Sequence, residues 1–127
     1  MSKQVAVILS GCGVQDGAEI HETTLTLLRL DQLGLGYRCF APDIEQHHVV
    51  DHRRGAVAEG EHRNALTESA RLCRGEISPL DELEADDFDA VILPGGFGVA
   101  KNLSNFAEAG DGMQVIDALS EALSGFH

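Results

Sequence analysis

A chain of 127 residues has the length of one domain and can bury a core without disulfide staples. Hydrophobic residues at 43% and charged residues at 24% sit near globular averages, which excludes a disordered tail, a coiled-coil rod and a collagen-like repeat. Nine Lys and Arg against 21 Asp and Glu give a net charge of −12, which repels phosphate backbones and anionic bilayers, so neither nucleic acid nor a membrane is an expected partner.

The first element in chain order is Val5-Ala6-Val7-Ile8-Leu9, a β-branched apolar run that reads as a strand buried on both faces in mid-sheet. It is too short for a secretory core or a membrane span, and the expected location is the cytoplasm. A glycine turn over 11–17 follows, then a helix over 18–33 in which Ile20, Leu25, Leu27, Leu28 and Leu30 supply apolar contacts. A second strand covers 37–41 and stops at Pro42. Residues 43–60 are polar and rich in histidine, with a short hairpin pairing 49–50 with 56–58. A second helix is predicted over 61–74, with Leu66, Ser69, Ala70 and Cys73 on one face and Gly75 as its left-handed stop. The acidic run over 81–89 reads as a solvated face ahead of another buried strand, 90–93. A last helix follows from Val115, Ala118, Leu119, Ala122 and Leu123 at helical spacing.

Strands alternating with helices imply parallel pairing, so the predicted class is α/β, a doubly wound sheet of flavodoxin-like type forming a single domain over 1–127. Ligands in such sheets bind beyond the carboxyl ends of the strands. Both glycine turns, 11–17 and 95–98, leave strands at that edge and are expected to converge.

Several chemistries compete for these turns. Phosphate or dinucleotide binding uses backbone N–H groups at a helix N-terminus, but Gly11-x-Gly13-x-x-x-Gly17 misses the GxGxxG spacing by one residue, and Gly98-Val99-Ala100-Lys101-Asn102 is no P-loop. Gly95 and Gly96 suit an oxyanion site, where N–H groups after a buried strand meet a carbonyl oxygen; the plain alternative is that the turn merely needs glycine. Glu19, in the first turn of the first helix, suits a proton shuttle, or else completes a capping box with Asp16.

Cys12, Cys39 and Cys73 are odd in number and form no CxxC pair, so free thiols are expected, with neither a disulfide framework nor a thiolate zinc site. Cys39 and Cys73 fall in core patterns. Cys12 precedes a helix N-terminus, whose dipole would lower its pKa and make it reactive. His47, His48 and His52 beside Asp43, Glu45 and Asp51 match no ligand motif and read as surface histidines, while His21 and His62 are expected in solvent or paired with acids. No metal or cofactor is expected.

The runs Val7-Ile8-Leu9-Ser10-Gly11-Cys12-Gly13-Val14, Asp16-Gly17, Glu19-Ile20-His21-Glu22, Cys39-Phe40-Ala41-Pro42-Asp43, Arg74-Gly75-Glu76-Ile77, Leu93-Pro94-Gly95-Gly96-Phe97-Gly98 and Ala100-Lys101-Asn102-Leu103-Ser104-Asn105-Phe106-Ala107 resemble the ElbB-type glyoxalase branch of the ThiJ/PfpI superfamily. The likeness covers nearly the whole chain and implies a class I glutamine-amidotransferase-like sandwich. It also implies conversion of a 2-oxoaldehyde such as glyoxal to a 2-hydroxy acid without glutathione, metal or cofactor. In that likeness Glu19 matches the catalytic glutamate and Gly95-Gly96 the oxyanion turn. The nucleophilic cysteine is carried on an elbow after the helix matching 115–123, and none of the three cysteines here matches it. The expectation is therefore a domain incomplete at its C-terminal side, inactive by itself unless Cys12 substitutes, and prone to form homo-oligomers. A non-catalytic module holding a small anion or a partner is the other class of reading.

Overall fold

The computed structural model describes residues 3–105 and 114–126; Phe106 and Ala107 of the last motif, and His127, lie outside them. β1 (Gln4–Ile8) runs parallel to β2 (Gly36–Ala41) on one side and β6 (Ala90–Ile92) on the other, and β5 (Ile77–Pro79) extends the sheet beyond β2. The strand order is β5-β2-β1-β6. A separate antiparallel hairpin joins β3 (Val50–Asp51) to β4 (Ala56–Val57), as the polar segment predicts.

Alternation along β1 splits the core in two, because successive side chains of a strand point to opposite faces. Val5, Val7 and Leu9 meet Leu27 and Leu30 of α1 (Ile20–Gln32), while Leu66 of α2 (Ala65–Ser69) packs against the same cluster. Ala6 and Ile8 face the other way, toward Leu80, Leu83, Leu103 and the Leu119 and Ala122 of α4 (Asp117–Ser124). Apolar layers on both faces of a parallel sheet are the doubly wound, flavodoxin-like α/β arrangement read from the sequence.

Four local expectations are corrected. The second helix is shorter than 61–74: α2 gives way at Ala70 to a single 3-10 turn, and the chain leaves it through Arg74 (φ 57) and Gly75 (φ 82). On α1 only part of the predicted apolar set is inward. Leu25 is 63% and Leu28 50% exposed, and Thr23 takes an inner position instead. β6 is the last strand of the sheet among the described residues, with Ala90 exposed and Val91 and Ile92 only half-buried against opposite apolar layers, so it is less buried than a mid-sheet run. The acidic run is not wholly solvated either: Leu83 within it is buried, just after a 3-10 turn over Leu80–Glu82 that buries Leu80. Two elements escaped prediction: β5, a three-residue strand ending in proline, and α3 (Gly98–Lys101), a single turn.

Winding from β1 through β2 to β5 proceeds one way, and β6 returns on the other side of β1. That reversal makes the carboxyl ends of β1 and β6 the topological switch point of the sheet, where crevices open in folds of this kind.

Candidate functional site

The two glycine turns leave β1 and β6 at this switch point and lock together through backbone hydrogen bonds. Glu19 N donates to Gly95 O at 2.7 Å, Phe97 N to Val14 O at 2.8 Å and Gly98 N to Gly17 O at 2.9 Å. Two side chains reinforce the seam. Lys101 Nζ donates to Gln15 O at 2.7 Å, and the buried Asn102 amide donates to Ser10 O at 2.7 Å and Asp16 O at 2.8 Å while its Oδ1 accepts from His47 N. Sequence reasoning gave Asn102 no role, although it stands in the run following the second glycine turn.

Glycine is required at Gly96 by conformation and by space. Its φ is +120, and a Cβ there would stand 2.3 Å from Gly17 O and 2.7 Å from Glu19 N. Neither Gly95 nor Gly96 donates its N–H to a backbone or side-chain acceptor among the described residues, and both are half-buried, hence reachable. Close approach of the turns thus explains one glycine, and the N–H groups of Gly95 and Gly96 are left undonated among the described residues.

Glu19 is the N-cap of α1, in extended conformation, with Oε2 accepting from Glu22 N at 2.6 Å. Its Oε1 contacts His21 Nδ1 at 2.9 Å. These bonds, that from Glu22 N first, hold its carboxyl below the usual carboxylate range. The predicted capping box is therefore corrected: Glu19 itself caps, and the buried Asp16 turns away to accept from Val50 N at 2.8 Å. Glu22 is the carboxylate that reaches the second glycine turn, at Gly95. A Cβ on Gly95 would lie 2.5 Å from Glu22 Oε1, so the absence of a side chain there leaves room for this group. The quoted run contains Glu22, three residues after Glu19; the spacing of one helical turn puts both on one flank, but only the fold tells which oxygen is spent on the cap.

Cys12 behaves differently from its expectation. The turn bridges back at Ala18 before α1 begins at Ile20, so the thiol is not at the helix N-terminus, and burial pushes its pKa up. It lines a cleft of about 320 Å³ with Asp16, His52, Arg63, Glu68 and Arg71, whose lining includes none of Glu19, Glu22, Gly95 or Gly96. His52 is tied to the first glycine turn, its Nε2 accepting from Gln15 N at 3.1 Å, a contact that sequence alone did not suggest. His21 pairs with Glu19, and His62 with Glu45 at 3.2 Å, as expected for histidines beside acids. Among the described residues no group of three or more His, Cys, Asp or Glu side chains is placed to hold a metal ion, and no helix is long and apolar enough to cross a membrane.

Comparison with known proteins follows this geometry. The chain is 52% identical over 124 residues to the human glutamine amidotransferase-like class 1 domain-containing protein 3, mitochondrial. It is 50% identical over 124 residues to the mitochondrial ES1 protein homolog of Rattus norvegicus, and 39% identical over 127 residues to the mitochondrial ES1 protein of Danio rerio. These alignments cover 98%, 98% and 97% of this chain but 46%, 47% and 47% of the relatives, so the chain spans about half the length of the curated relatives it matches. A crystal structure of an isoprenoid biosynthesis protein with amidotransferase-like domain from Ehrlichia chaffeensis superposes with a TM-score of 0.90 at 41% identity, covering 95% of this chain and 57% of that one. No family model matches the chain. Its homologues are thus glutamine amidotransferase-like class 1 domain proteins, and its fold is theirs. The expectation of a cytoplasmic protein is corrected: all three curated relatives are named mitochondrial, which points away from the cytoplasm.

Proposed function

We propose that this chain supplies the oxyanion turn and the proton-transferring carboxylate of a cofactor-free glyoxalase-type site, which hydrates and isomerises a small 2-oxoaldehyde to a 2-hydroxy acid. The observation that carries the reading is the pairing of two undonated N–H groups, on Gly95 and Gly96, with a carboxylate oxygen of Glu22 beside Gly95. The N–H groups would hold the oxygen that gains charge when a thiolate adds to the aldehyde carbon. The carboxylate would take the proton from that carbon and return it to the neighbouring one, leaving a thioester that water cleaves to the hydroxy acid.

Glu22 suits the transfer better than Glu19, because both Glu19 oxygens are engaged by Glu22 N and His21. Cys12 does not suit the nucleophile: burial pushes its thiol pKa up, and the residue lines another cleft. The attacking sulfur in this reading comes from the part of the relatives' length that these 127 residues do not span. Anion and dinucleotide binding weigh less, since Glu19 already places a carboxylate on the N-terminus of α1, where a phosphate would sit.

Glycolate formed from glyoxal tests the proposal. The chain alone is expected to give none; the chain mixed with the remaining half of a full-length relative is expected to give glycolate. In that mixture Glu22→Gln should lower the rate about 100-fold or more, and Glu19→Gln far less. A mixture that associates but forms no glycolate overturns the activity, and a larger loss in Glu19→Gln than in Glu22→Gln exchanges the two roles.

A further inference from the structure

Two of the three thiols, 34 positions apart in sequence and remote from the candidate site, meet in space. Cys39 lies on β2 and is buried; Cys73 ends the 3-10 turn after α2 and is half-buried. Both side chains belong to one apolar cluster against the sheet, close enough for each sulfur to perturb the other's ionisation, and the Cys73 thiol donates to Ser69 O at 3.6 Å. Both line a cleft of about 400 Å³ with Tyr37, Arg38, Glu76 and Ile77, and this cleft opens the pair to small solutes. The backbone fixes the meeting: Arg74 and Gly75, both left-handed, turn the chain into β5, where Ile77 registers against Cys39.

We propose that Cys39 and Cys73 form an oxidisable dithiol whose co-reactant is a small hydroperoxide such as hydrogen peroxide. Cys73 is the attacking sulfur, being the more accessible of the two, half-buried where Cys39 is buried. Its sulfur bonds to one peroxide oxygen, the O–O bond breaks, and the departing hydroxide leaves as water with the Cys73 proton. The sulfenic acid on Cys73 is then displaced by the Cys39 sulfur: an S–S bond forms, and the hydroxyl departs with the Cys39 proton as a second water. Two thiols lose two electrons and one peroxide gains them. Cys39 keeps its proton until that second step, since the neighbouring Cys73 sulfur and burial push its thiol up.

Treating the native chain with equimolar hydrogen peroxide, alkylating the remaining thiols after denaturation and mapping unreduced peptides tests this. Two of the three free thiols should be lost, a linked Cys39–Cys73 peptide should appear with the mass loss of two hydrogens, and dithiothreitol should restore both. Cys12→Ser should leave the link unchanged, and in Cys39→Ser a dimedone-trappable sulfenic acid should persist on Cys73. A link to Cys12, a link between chains, no thiol loss, or Cys73 over-oxidised with Cys39 still free would each overturn the proposal. The map of the native chain decides the matter even where Cys39→Ser fails to fold.

Discussion

Glu19 illustrates how one residue's chemistry is set by its neighbours. Its carboxylate accepts the Glu22 N–H and meets His21, so the charged form is favoured and its pKa in the folded chain lies below the unfolded value. A lowered pKa gives stability that is complete above the unfolded carboxylate range and disappears as pH falls through the folded value. Glu19→Gln keeps an oxygen for the cap but loses the charge. Urea midpoints across pH should therefore show wild type ahead of this variant at neutral pH and the two converging in acid. A gap that stays constant with pH would mean that the capping charge contributes nothing. Asn102 shows the complementary case, an uncharged amide that spends two hydrogen bonds on the first glycine turn and a third on His47 of the polar segment.

At the scale of elements, α1 separates composition from position. Leucines at 25, 27, 28 and 30 look interchangeable in sequence, yet Leu27 and Leu30 enter the core and Leu25 and Leu28 face water. Leu27→Ala should cost about 2–5 kcal/mol, the range for a truncated core leucine, whereas Leu25→Gln should stay within about 0.5 kcal/mol. Equilibrium denaturation of both variants checks the assignment; equal losses would mean that α1 sits in another rotation on the sheet. The same helix carries Glu22 to Gly95 by its first turn, so its rotation also fixes which acid meets the second glycine turn.

For the whole molecule, the consequential feature is the asymmetry of the sheet. β1 and the carboxyl half of β2 are sealed between two apolar layers, while β6 has β1 on one side and no second strand among the described residues. An exposed parallel edge with half-buried Val91 and Ile92 invites pairing with another polypeptide. Sedimentation velocity should accordingly show a weight-average mass that rises with concentration; one monomer-sized species at every concentration would count against self-association.

Sequence by itself determined the order of strands and helices, the mid-sheet place of β1 and the convergence of the two glycine turns. Hydrophobic periodicity and glycine placement are local signals, and a doubly wound sheet leaves few ways to connect them. It missed β5 and α3, three and four residues long, because a pattern that short has no period to detect. Tertiary structure decided which of two nearby glutamates caps the helix and which reaches Gly95, that Cys12 sits half-buried in a separate cleft, and that Cys39 meets Cys73. Each of these depends on a distance of a few ångströms between segments far apart in the chain, and spacing along one segment carries no information about such distances.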